Sequence, residues 1–158
     1  MKYQRILVPY DGSEHAQSAL STACSIAKDS EGATVYVVNV VPMTVNPSIA
    51  LVDPATGASS TFAQKGDFAQ EFDSALLGIT KEMEAELSSV VEGLPANRVV
   101  METVADPSPV NGLSAYAKER DCDLIVMGRR GLGTIRGMLG SVSYGILRSV
   151  DIPVLTVK

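Results

Sequence analysis

A glycine-rich stretch near the C-terminus carries the clearest chemistry in this chain: Met127-Gly128-Arg129-Arg130-Gly131-Leu132-Gly133-Thr134-Ile135-Arg136-Gly137-Met138-Leu139-Gly140-Ser141-Val142-Ser143. Glycines without a Cβ let backbone turn sharply and come close to a ligand. Gly140-Ser141 is placed to open a helix whose first amides have no partner within the helix. Those N–H groups, the helix dipole and the Ser141 and Ser143 hydroxyls suit an anion, phosphate above all. Ser141 also fits an ordinary helix cap. Arg129, Arg130, Arg136 and Arg148 gather a local positive charge on a chain whose formal net charge is −5; Arg129 and Arg130, and equally Arg136, could pair with phosphate oxygens, although long loop arginines are more often solvated. No Gly-Lys-Ser/Thr follows the glycines, so this is not a Walker loop, and no GxGxxG follows the first apolar run. Phosphoryl transfer also needs metal ligands and a base or water-orienting group. Magnesium could accompany a bound triphosphate, but no Asp/Glu pair near the loop is spaced to hold it.

Elements must hold such a loop in place, and the apolar pattern supplies them. Arg5-Ile6-Leu7-Val8, stopped by Pro9, reads as a buried strand. Ala16, Ala19, Leu20, Ala23 and Ile26-Ala27 then form one helical face. Thr34 to Val41 is near-continuously apolar, as a central parallel strand should be. The Pro42–Gly66 stretch loses periodicity and is expected to be a long, mobile loop. A second helix is predicted over about Asp67–Val91, with Phe68, Phe72, Leu76, Ile79, Met83 and Leu87 as its stripe. A third strand is expected over Asn97–Thr103 and a third helix over Val110–Arg120. A fourth strand, Asp123–Met127, ends at Gly128; a last helix begins near Gly140-Ser141, and a fifth strand covers Ile152–Val157. Strands alternating with helices imply right-handed crossovers, an α/β fold and a parallel sheet covered on both faces. The Gly-rich loop then leaves a strand at its carboxyl end, where open α/β sheets bind ligands.

The 158 residues make about one domain, read here as 1–158 without internal repeat or boundary. Hydrophobic residues make up 46% and charged residues 20%, which argues for a packed globule. An acidic chain is a poor partner for nucleic acid. No apolar run approaches the roughly 18 residues that cross a membrane, and the segment before Pro9 is too short for a signal-peptide core, so the cytoplasm is the expected location. Cys24 and Cys122 lack metal or CxxC spacing and read as buried thiols. His15, the only histidine, has no partner for a triad or a metal site.

Taken in order, Arg5-Ile6-Leu7-Val8-Pro9-Tyr10-Asp11-Gly12-Ser13-Glu14, Asn39-Val40-Val41-Pro42, Asp123-Leu124-Ile125-Val126-Met127-Gly128, Gly140-Ser141-Val142-Ser143 and Pro153-Val154-Leu155 resemble the universal stress protein family over essentially the whole chain. The resemblance implies a Rossmann-like five-stranded parallel sheet in the order 3-2-1-4-5, a homodimer through the C-terminal strand 152–157, and a stress-response regulator acting on an unidentified protein partner. For the nucleotide-binding branch it implies ATP or another adenine nucleotide at the carboxyl ends of strands one and four. Asp11 would accept from ribose hydroxyls or adenine. Pro9, with Tyr10 beside it, and Val40 would line the base pocket, and the Val40 backbone could read the adenine edge. Met127 and Gly128 would lie under the ribose. Gly131, Gly140, Ser141, Val142 and Ser143 would surround phosphates. The branch pattern is Gly-x2-Gly-x9-Gly-Ser/Thr, whereas here only eight residues, Leu132 to Leu139, precede Gly140. Gly133 and Gly137 could absorb the missing residue. A dimeric interaction module without tight nucleotide binding is the alternative that this shortening leaves open. Asp11 with Glu14 also fits a helix-start capping pair.

Overall fold

The computed structural model describes residues 2–43, 51–52, 59–60, 65–132 and 139–158. Its main sheet is built from β1 (Arg5–Pro9), β2 (Thr34–Val41), β3 (Val99–Ala105), β4 (Leu124–Gly128) and β5 (Val154–Val157). All pairings in it are parallel and the order is β3-β2-β1-β4-β5, the expected 3-2-1-4-5. Helices α1 (Glu14–Lys28), α2 (Lys65–Leu87), α3 (Pro109–Glu119) and α4 (Ser141–Ser149) connect or flank the strands.

Strand alternation divides the core into two layers. Ile6, Val8, Val35, Val37, Leu124 and Val126 face the alanine-rich side of α1 together with Met83 and Leu87 of α2. Leu7, Val38, Ile125 and Met127 face Leu113, Tyr116 and Ala117 of α3 and Ile146 of α4. Apolar runs without alternation in β1 and β4 follow from this burial on both faces. Of the stripe expected along α2, Met83 and Leu87 are in the core, Phe72 and Leu76 are half-buried, and Ile79 faces out; the Phe68 side chain lies outside what the structure describes. No described helix is long and apolar enough to cross a membrane.

Several boundaries differ from the sequence pattern, each for a local reason. The third strand starts at Val99, two residues later than expected, because Ala96–Arg98 forms a 3-10 turn. The Arg98 guanidinium from that turn donates to the carbonyls of Ala33, Ala27 and Ser30 at 2.7, 2.5 and 2.7 Å. The last strand starts at Val154 rather than Ile152, since Pro153 has no N–H to give the ladder. α2 ends at Leu87, where Val90 and Val91 fold back onto the Leu87 carbonyl. α3 starts one residue early, with Pro109 in its first turn. Within the expected loop, Leu51–Val52 pairs antiparallel with Ser59–Ser60; the rest of the mobility expected between Pro42 and Gly66 falls largely outside the described residues.

The starts of α1 and α3 are built alike. Ser13 caps α1 by accepting from the Ala16 N–H, and Asp11 Oδ1 accepts from the Ser13 N–H at 3.0 Å. Ser108 caps α3 through the Asn111 N–H, and Asp106 Oδ1 accepts from the Ser108 N–H at 2.8 Å. The cap of α1 is therefore Ser13, not the Asp11–Glu14 pair. At α4 the cap position is Gly140, with no side-chain bond to the first amides.

Candidate functional site

The carboxyl ends of β1, β2 and β4 open onto a cavity of about 450 Å³, within the range of small-molecule sites. Pro9, Tyr10 and Asp11 enter it from the end of β1, and Val40 from β2. Met127, Gly128, Arg130 and Gly131 come from the end of β4 and the turn after it. Gly140, Ser141, Val142 and Ser143 come from the start of α4. All the site residues expected from the sequence thus line one cavity. Gly133, Arg136 and Gly137 lie outside the described residues.

Both ends of the Gly-rich loop are clasped. The Gly140 N–H donates to the Arg129 carbonyl at 3.0 Å, and the Ser143 hydroxyl donates to the Gly128 carbonyl at 2.9 Å. The Arg129 N–H donates to the Val157 carbonyl at 2.7 Å, tying the loop to the edge strand. Ser143 is buried and its proton is engaged there, so its hydroxyl pins the helix to the strand end rather than standing open as a donor. The first α4 amide to find a partner within the helix is that of Tyr144, on the Gly140 carbonyl at 2.8 Å. Earlier amides of the helix border the cavity.

Glycine is needed at some of these positions and not at others. A Cβ on Gly128 would stand 2.8 and 2.9 Å from Cβ and carbonyl carbon of His15, so α1 can reach the end of β4 only because no side chain intervenes. A Cβ on Gly131 would run into Asp11 Oδ2. The turn after β4 and the carboxylate after β1 are therefore packed together at the cavity mouth. At Gly140 a Cβ would meet Arg130 Cα at 3.4 Å, an ordinary contact.

The polar groups divide between those already satisfied and one that is not. The Tyr10 phenol turns away from the cavity and donates to Glu86 Oε1 of α2 at 2.7 Å. Burial pushes its pKa above the ordinary value. Arg130 Nε, by contrast, is buried with no hydrogen-bond partner among the described residues. Along β2, backbone groups alternate sides. Val38 gives its carbonyl to the Tyr10 N–H, so the Val40 N–H and C=O turn to the same side, past the end of β1. Among the described residues no three His, Cys, Asp or Glu side chains gather as a metal cluster.

Sequence reasoning missed the wall that α3 supplies, Pro109 and Leu113, and the floor residues Ala16 and Val38. Nothing in their spacing marks them, because a different crossover brings them there. It also missed Asn39, whose Nδ2 donates to the Tyr10 carbonyl at 3.0 Å. A polar residue interrupting an apolar strand was the available signal.

The profile of the universal stress protein family matches residues 2–158. This chain belongs to that family. A universal stress protein of Methanocaldococcus jannaschii is 32% identical over 162 residues, covering 99% of this chain and 82% of the relative. Among solved structures, a universal stress protein in complex with cAMP is similar with a TM-score of 0.65 at 24% identity, over 100% of this chain and 99% of that one. The universal stress protein from Archaeoglobus fulgidus in complex with dAMP gives 0.61 at 23% identity, over 100% of each chain. These structures share the fold of this universal stress protein.

Proposed function

We propose that this universal stress protein binds an adenine nucleotide, AMP or ATP, in the cavity at the carboxyl ends of β1 and β4. The observation that carries the reading is the Arg130 Nε, a buried donor with no hydrogen-bond partner among the described residues. A buried cationic donor left unpaired is costly, and an oxyanion in the cavity would satisfy it. The α4 amides beside uncapped Gly140 supply further donors. Relatives of the same fold hold cAMP and dAMP, which supports adenine as the base. In this reading Pro9, Tyr10 and Val40 flank the base, and Asp11 accepts from it or from ribose. Met127 and Gly128 lie under the sugar. Arg130, Gly131, Gly140, Ser141, Val142 and Ser143 surround phosphate, with magnesium accompanying a triphosphate. The protein acts in the cytoplasm as a homodimeric stress-response regulator, its occupancy changing its affinity for a protein partner.

Mass spectrometry of ligand released from gently purified protein, followed by calorimetry with AMP and ATP, tests the reading. Binding of either is expected, and Gly140→Val should weaken it well beyond tenfold with the circular dichroism unchanged. Protein that is purified empty and ignores both nucleotides overturns it. The loop between Gly131 and Gly140, one residue shorter than the nucleotide-binding pattern, then favours the interaction-module reading.

A further inference from the structure

We propose that Asn39 is a positioning residue that holds Asp11 in the orientation its ligand role requires. Asn39 is the one strongly polar side chain in the run Val35–Val41, and asparagine is disfavoured in strands. Its amide does not extend the sheet. It reaches across to the neighbouring strand end and donates to the Tyr10 carbonyl at 3.0 Å.

That carbonyl belongs to the peptide plane directly before Asp11. The plane before it is fixed too, because the Tyr10 N–H donates to the Val38 carbonyl at 2.8 Å. Two consecutive planes are thus set from β2, one by its backbone and one by the Asn39 side chain. Beyond them Asp11 Oδ1 accepts from the Ser13 N–H at 3.0 Å, and Oδ2 occupies the space a Gly131 Cβ would need. Asp11 itself is exposed, and its carboxylate reaches the Gly131 backbone from the end of β1. Its direction is inherited from the backbone that carries it. Without the Asn39 donor, the peptide before Asp11 is free to rotate, and the Asp11–Ser13 turn loosens with it.

The consequence for affinity rests on the nucleotide reading above; the consequence for the turn does not. Two measurements separate them. In ligand-free protein, Asn39→Leu keeps side-chain bulk but removes the donor, and the Ser13 amide should exchange about tenfold faster while distant core amides keep their rates. An unchanged Ser13 rate in a folded variant overturns the proposal whether or not nucleotide binds. In calorimetry with AMP, Asn39→Leu should weaken binding about five- to tenfold in the wild-type background. In an Asp11→Ala background it should change binding by less than about twofold, since a group acting through Asp11 has nothing left to position. Equal losses in both backgrounds would mean that Asn39 touches the ligand itself, and would also overturn the proposal. Failure of wild-type protein to bind AMP would refute the nucleotide reading alone, with the exchange measurement still deciding on Asn39. Should Asn39→Leu unfold, Asn39→Ser, too short to reach Tyr10, repeats both measurements.

Discussion

Two glycines of one loop make opposite demands on the chain. Gly128 sits where a Cβ would collide with backbone and Cβ of His15, atoms that move only if α1 moves. Gly128→Ala should therefore cost about 1–3 kcal/mol of stability, the usual range for overpacking. Gly140→Ala should leave the melting temperature nearly unchanged, because its Cβ finds ordinary contacts. Thermal denaturation of both variants checks the contrast, and equal losses would mean that the close approach of α1 to β4 is misjudged. Cys122 offers a second test. Burial, reinforced by Asp123, pushes its thiol from the ordinary 9.0 up to about 11. The folded protein then keeps a proton that the unfolded chain releases, so this contribution is complete below about pH 9 and is lost as pH rises through about 11. Wild type should lose more stability than Cys122→Ala across that window, and the gap between them in melting temperature should change with pH. A gap that stays constant would rule out thiol ionisation as a cause. At neutral pH both buried cysteines should resist iodoacetamide until the protein unfolds.

At the scale of elements, Arg98 does what no helix propensity encodes. Its guanidinium spans the carbonyls of Ala27 and Ser30 at the end of α1 and of Ala33 before β2. The Ala27 and Ser30 carbonyls also accept from the Ser30 and Ala33 N–H groups, so the guanidinium adds charge-assisted bonds to the turn that already closes α1. Arg98→Ala should cost at least about 2 kcal/mol, since hydrogen bonds to a charged group are worth about 1.5–3 kcal/mol each. That corresponds to roughly 4–8 °C in melting temperature for a chain of this size. Arg98→Lys should recover only part of it, because an ammonium cannot reproduce the planar fork. A full recovery would show that charge near the α1 terminus matters, not the fork. The same residue marks where sequence reading stops. The five strands and four helices were legible because each shows either a helical period or a short apolar run bounded by turn residues, and the β4–Gly128 and Gly140–α4 junctions because glycine and serine punctuate them. Arg98, Asn39, Pro109 and Leu113 were not, since each acts on a segment far along the chain, and only the crossovers bring the partners together. The order of strands itself came from resemblance; alternation alone leaves it open. Asp11 was legible as an acid beside the site, but its cap role passed to Ser13, two residues on, through an Asx turn that the Asp11–Glu14 spacing does not reveal.

For the whole molecule, the outer side of β5, the last strand of the sheet, sets how copies of the chain associate. Among the described residues β5 pairs only with β4, in parallel, and Leu155 on it is 39% exposed. A bare edge with unpaired N–H and C=O groups invites association, and Lys158 is its only charged guard. Pairing antiparallel with a second copy across a two-fold axis would satisfy those groups, and two-fold contacts are the commonest in soluble oligomers. A four-residue strand is short for this task. Stable dimers bury about 800 Å² on each partner, so the strand must draw in neighbouring surface to hold at micromolar concentration. We predict that the full chain is a dimer in light scattering at about 10 µM. Leu155→Lys, which places like charges across the two-fold axis, should shift it to monomer without loss of the circular dichroism signal. Deleting Pro153–Lys158 should give monomer or aggregate, since it also strips β4 of its partner strand and the Arg129 N–H of the Val157 carbonyl. Through that last bond the β5 edge reaches the first residue of the turn that carries Arg130. Monomeric Leu155→Lys should therefore bind AMP more weakly than the dimer, by a factor that disappears in a covalently linked tandem carrying only one substituted copy if pairing at one edge is enough to restore it. A full-length chain that scatters as a monomer at about 10 µM would sink the β5 interface and with it this coupling.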